Sequence, residues 1–99
     1  MPNRSREKGY RWERKVRDYF RSQGCFVVRQ GASLFPDLIV LRPKGDSPWL
    51  IECKVNKYLS RDEKEEAKRL VAYGDFFVAS PERRGRRVVV KVSEPTKEA

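Results

Sequence analysis

Two short strand-like stretches, Asp37-Leu38-Ile39-Val40-Leu41 and Leu50-Ile51-Glu52-Cys53-Lys54-Val55, flank a turn-rich connection, Arg42 to Pro48. Their period and the Pro43, Lys44-Gly45-Asp46 and Pro48 punctuation predict a β-hairpin. Side chains alternate across a strand, so Glu52 and Lys54 leave the backbone on one face while Ile51, Cys53 and Val55 take the other. Antiparallel pairing then sets Asp37, at the start of the first strand, beside Glu52 and Lys54 near the end of the second. Two carboxylates converging on one point repel unless something positive sits between them, and a hard divalent cation is the usual answer. The pattern predicts a Mg²⁺ site, with Mn²⁺ as substitute, next to a lysine. Asp37 and Glu52 are its expected ligands, with the backbone carbonyl of Cys53 as a further one. Lys54 cannot ligate a metal while charged; it would neutralise negative charge beside the ion, or serve as base if the site lowers its pKa. An ordinary ion pair on an edge strand is the plain alternative for Glu52 and Lys54.

Composition narrows the chemistry. There are 23 Lys and Arg against 14 acids, a net charge of +9 that points to a polyanion, nucleic acid before anionic membrane. No run approaches the apolar length needed to span a bilayer, and Met1-Pro2-Asn3-Arg4 leads into charge, which favours the cytoplasm, that of a virus-infected cell included. Histidine is absent, which excludes Ser-His and Cys-His pairs, a Cys₂His₂ zinc site and the usual neutral-pH base. Hydrolysis must therefore rest on carboxylates, lysine and metal. Cys25 and Cys53 lie in separate predicted strands and read as small reduced core residues, not a disulfide framework. A chain of 99 residues is expected to form one domain, 1–99, with frayed tails at 1–5 and 93–99.

A first helix is expected from about Arg6 to Gln23, with Trp12, Val16, Tyr19 and Phe20 as its apolar stripe and Gly24 as its stop. Glu13 falls about 20° from Phe20 on the helical wheel and so borders the buried face. A salt bridge to Arg17 is the simplest partner for it. Lys8, Arg11 and Lys15 share one face of this helix and are the leading candidates for phosphate contact, with Arg4, Arg6, Arg29 and Lys57 beside them. Cys25 to Arg29 is a strand by composition, followed by a loop, Gln30 to Pro36, that delivers Asp37. Ser60-Arg61-Asp62-Glu63 is a capping box announcing a second helix to about Ala72, with Ala67, Leu70 and Val71 inward and Gly74 beyond its end. Lys64 and Lys68 on its outer side are lesser DNA-binding candidates. Phe76 to Ser80 and Val88 to Val92 are further strands around a turn, Pro81 to Arg87, whose four arginines are either a second phosphate contact or a soluble turn.

Pro36-Asp37 followed by Glu52-Cys53-Lys54 resembles the PD-(D/E)XK signature of restriction-endonuclease-like nucleases. With Lys8-Gly9-Tyr10-Arg11-Trp12-Glu13-Arg14, Val28-Arg29-Gln30-Gly31-Ala32-Ser33 and Ile51 to Lys57 in that order, the chain resembles the archaeal-type Holliday junction resolvases. The resemblance implies an α/β restriction-endonuclease-like fold, a central mixed sheet of about five strands flanked by α-helices. It implies a homodimer that binds four-way junction DNA and nicks it with Mg²⁺, leaving a 5′-phosphate, without a small-molecule cofactor or a membrane. It makes Glu13 an active-site acid and metal ligand, and gives Ser33, on a mobile loop, a part in cleavage. Leu34 and Phe35 depart from the glycine-rich family loop, and an exposed Phe35 would wedge at the branch point. Within the same fold, flaps, nicks or single-stranded DNA are alternative substrates; outside it, a non-enzymatic basic DNA-binding protein would share the charge.

Overall fold

The computed structural model describes residues 4–31 and 34–95. Helix α1 (Arg4–Ser22) begins earlier than expected, taking in Arg4 and Ser5 from the predicted lead-in. It ends as foreseen at Gly24, whose φ of 85° lets the chain turn back. The Cys25 N–H then donates to the Phe20 carbonyl (3.2 Å) and the Gly24 N–H to that of Arg21 (3.0 Å), which satisfies two otherwise orphan acceptors. Trp12, Val16 and Phe20 are buried, whereas Tyr19 lies at the rim with its ring edge-on to Phe20.

Strands β1 (Phe26–Arg29), β2 (Leu38–Leu41), β3 (Trp49–Cys53), β4 (Asp75–Arg84) and β5 (Arg87–Ser93) form one sheet in that order. All neighbours are antiparallel except β3 and β4, whose parallel pairing needs the crossover that α2 (Arg61–Leu70) supplies. Strand alternation splits the core in two. On one face α1 sets Trp12, Val16 and Phe20 against Val27, Leu38, Val40, Ile51 and Ala79. On the other, Ala67 of α2 packs with Leu50, Leu59, Phe76 and Val78. Leu38, Ile51, Val16, Val40 and Val78 are wholly enclosed, each contributing about 1.5–3 kcal/mol by leaving water. The sheet is thus flanked by helices as the sequence pattern implied.

The differences have local causes. The predicted turn from Pro81 is strand: β4 continues to Arg84, opposite β5. Proline is tolerated there because β3 stops at the register pair Cys53 and Ala79, leaving no third strand to need the missing N–H. The capping box of α2 is formed in both directions, but Val71, expected inward, closes the helix and is exposed. Gly74 is required by a close approach: a Cβ there would stand 2.4 Å from the Pro48 carbonyl oxygen. Ser93, expected to fray, belongs to β5.

Candidate active site

Asp37, just before β2, and the last two residues of β3 are tied together by crossed hydrogen bonds. The Asp37 N–H donates to Glu52 Oε1 (3.0 Å), and the Cys53 N–H donates to Asp37 Oδ2 (2.9 Å). Register places Leu38 opposite Ile51, so the two acids flank the same edge of the hairpin. Glu52 is only 6% exposed. Burial, then the neighbouring Asp37 carboxylate, push its carboxyl from 4.5 up to about 9. Asp37 is also raised, first by burial, although the Cys53 N–H, Glu52 and Lys54 pull it back. Two carboxyl groups tied this closely are oxygen donors of the kind a hard cation takes.

Lys54 follows β3, its N–H fixed by the Ala79 carbonyl (3.0 Å), which also accepts the buried Trp12 indole N–H (3.0 Å). Its ammonium lies 3.6 Å from Glu52 Oε2 and 2.8 Å from Glu63 Oε2. Burial works against its charge, but the hydrogen bond and charge of Glu63, with Glu52 and Asp37, outweigh it and raise the pKa. The suggestion that the site lowers the lysine to make it a base is therefore corrected: Lys54 is held as a cation. Glu63 is the residue that sequence reasoning missed. Its capping box was legible, but one carboxylate oxygen caps the Ser60 N–H (2.8 Å) while the other grips Lys54.

Glu13 approaches from α1, on the opposite face of the sheet, and is 8% exposed. Its partner is Arg29 (3.1 Å), not Arg17, which pairs with Asp18 (3.0 Å). Arg29, a DNA-contact candidate, is engaged by this buried acid while 37% of its side chain stays exposed. Glu13, Asp37 and Glu52 all act on the Cys53 thiol, which burial first and these charges next push upward, so it stays protonated. Among the described residues, no three acidic or thiol side chains converge as a ready-made cation cage. The structure brings together Asp37, Glu52, Lys54 and Glu63, and holds Glu13 on Arg29. Cys25 and Cys53 are both free thiols.

Ser33 lies outside the described residues. Phe35 is not an exposed wedge: its ring stacks on buried Phe76 at 5.4 Å, which fixes it in the core under α2. Gln30 spans the loop, its N–H donating to the Asp37 carbonyl (2.9 Å) and its side-chain amide to that of Pro36 (2.7 Å). Of the DNA-binding candidates, Lys8, Arg11, Lys15 and Lys57 are exposed. The side chains of Arg4 and Arg6 are outside the described set. Lys68 is exposed and paired with Glu65 (3.3 Å), and Lys64 is half-buried at a groove between α2 and β4.

Residues 4–96 match the family model for archaeal Holliday junction resolvase (Hjc). The chain belongs to the archaeal Holliday junction resolvase family. This makes it kin to endonucleases of DNA recombination and repair. A search of curated proteins finds no match. Among solved structures, the chain is similar to Hjc of Archaeoglobus fulgidus, described as a Holliday junction resolvase from an archaeal hyperthermophile. The identity is 24%, over 88% of this chain and 72% of that one, with a TM-score of 0.67. At that identity the likeness speaks for the fold. No described helix is long and apolar enough to cross a membrane.

Proposed function

We propose that this member of the resolvase family is a Mg²⁺-dependent endonuclease that binds four-way junction DNA as a homodimer and nicks one strand per subunit. The observation that carries the reading is the crossed pair Asp37 and Glu52 with Lys54 beside it: a buried and a half-buried acid, Glu52 lifted to about 9 by burial and then by the Asp37 carboxylate, and an ammonium 3.6 Å from Glu52. Asp37 and Glu52 would hold the ion, joined by the Cys53 carbonyl and, through water, by Glu13. When bound, Mg²⁺ or Mn²⁺ would supply Lewis acidity toward the phosphate and lower the pKa of water. Lys54, kept protonated by Glu63, donates hydrogen bonds to the attacking water and to phosphate oxygens as negative charge grows on them. The water oxygen bonds to phosphorus as the P–O3′ bond breaks, one water proton passing to solvent and O3′ taking one from solvent, to give a 5′-phosphate and a 3′-hydroxyl. A two-fold symmetric dimer offers two equivalent sites to a substrate with two scissile bonds.

The deciding experiment incubates end-labelled four-way junction with the protein and Mg²⁺ and maps the cuts. Symmetric nicks near the branch point, abolished by Glu52→Ala while junction binding persists, are expected. Cutting of flaps or linear DNA at equal rates would overturn the junction assignment, and unchanged cutting by Glu52→Ala would remove this site.

A further inference from the structure

The parallel pairing of β3 and β4 has a geometric result. Both strands run toward the site, but β3 ends at Cys53, level with Ala79, whereas β4 continues through Arg84. From Ser80 onward β4 pairs only with β5, from Ser80 opposite Lys91 to Arg84 opposite Arg87. These five extra residues carry a two-stranded ribbon about 17 Å past the level of Glu52 and Lys54, at roughly 3.3 Å per residue. Gly85, at φ 61°, turns the tip.

The ribbon is strongly cationic. Residues 82–91 hold Arg83, Arg84, Arg86, Arg87 and Lys91 against the single acid Glu82. Glu82 binds Arg84 (2.9 Å) and Lys91 (3.6 Å). Arg83, Arg86 and Arg87 are exposed and have no acidic partner among the described residues. Blunting a strand edge needs only a charge or two, whereas three arginines stand together here; on α2, by contrast, Lys68 pairs with Glu65 and Arg69 with Glu66. Register puts Arg83, opposite Val88, and Arg87, opposite Arg84, on the two faces of the ribbon, with Arg86 in the turn between them, so three guanidiniums ring the tip and match phosphate oxygens in chemistry.

We infer that the ribbon Ser80–Lys91 is a backbone clamp on duplex DNA. Arg83, Arg86 and Arg87 grip phosphates about five base pairs from the scissile one, taking 3.4 Å of axis per base pair. The inference deepens the proposed nuclease function and rests on DNA being the substrate. It reads no sequence, because phosphate contacts position the duplex without reporting its bases.

The test compares wild type with Arg83→Ala/Arg86→Ala/Arg87→Ala for binding to a four-way junction and to a linear duplex across a KCl series. Arg84 is kept so that its pair with Glu82 still braces the ribbon. The slope of log K against log salt should become shallower by two to three, about 0.9 per lost contact, on both DNAs. Phosphate-ethylation interference should disappear about five base pairs from the cut. Glutamine at the three positions should do the same with side chains that suit a strand, and lysine should restore the slope. An unchanged slope and interference pattern in the folded glutamine variant would overturn the clamp. Failure of the wild type to prefer or cut the junction would instead sink the junction assignment, and the linear-duplex slopes would still judge the ribbon.

Discussion

Lys54 and Glu63 are joined by a 2.8 Å ion pair that ties the cation of the site to the first turn of α2. Glu63 is itself fixed by the cap, its other oxygen accepting the Ser60 N–H and its own N–H donating to Ser60 Oγ (3.2 Å). Burial raises the Glu63 carboxyl, but Lys54 and the cap outweigh it, so its pKa is lowered and it stays charged. The loop from Asn56 to Leu59 is thereby closed at both ends, by the chain after β3 and by the helix start.

Glu63→Gln should separate the two duties of this residue. The amide oxygen can still cap Ser60, but the ammonium is left with Glu52 alone, at the longer distance of 3.6 Å. Cleavage should fall about tenfold or more through misplacement of Lys54. Because Glu63 is among the groups that raise Lys54, the alkaline limb of the pH–rate profile should move to lower pH. Ser60→Ala is the converse variant: loss of the cap should cost about 1 kcal/mol of stability. A rate and pH profile unchanged in Glu63→Gln would reduce Glu63 to a cap.

Glu52 makes stability depend on pH with a definite sign. Its folded value of about 9 exceeds its ordinary 4.5, so the folded chain keeps a proton that the unfolded chain gives up. This contribution is complete below about pH 4.5 and is lost as pH rises through about 9. In chelator, urea midpoints of the wild type should fall across that window more steeply than those of Glu52→Gln, which stays neutral. Parallel curves would mean that Glu52 is ionised throughout. Adding Mg²⁺ near pH 8 should release protons from the wild type and fewer from the variant.

Phe35→Ala distinguishes a core anchor from a branch-point wedge. The ring is half-buried against Phe76, so its removal should cost roughly 2 kcal/mol in denaturant unfolding, less than the 3–5 of a fully enclosed phenylalanine. Junction affinity of the folded variant should stay near wild type. Lost affinity at full stability would return the wedge to consideration.

Local chemistry announced much of the fold. Gly24 stops α1, Ser60 and Glu63 cap α2, and alternation in β3 puts Glu52 and Lys54 on one side, because caps, glycine turns and strand period act over a few residues. The hairpin spacing likewise sufficed to bring Asp37 to Glu52. What the sequence alone could not decide depends on contacts across the sheet. Arg29 rather than Arg17 meets Glu13 because β1 lies on α1's side of the core. Pro81 sits in a strand because β3 ends two residues earlier, opposite Ala79, and Phe35 turns inward because Phe76 offers a ring. Glu63 meets Lys54 because the crossover helix starts where β3 leaves off. Each outcome was set by which distant segment stood opposite, a matter of packing that no local pattern records.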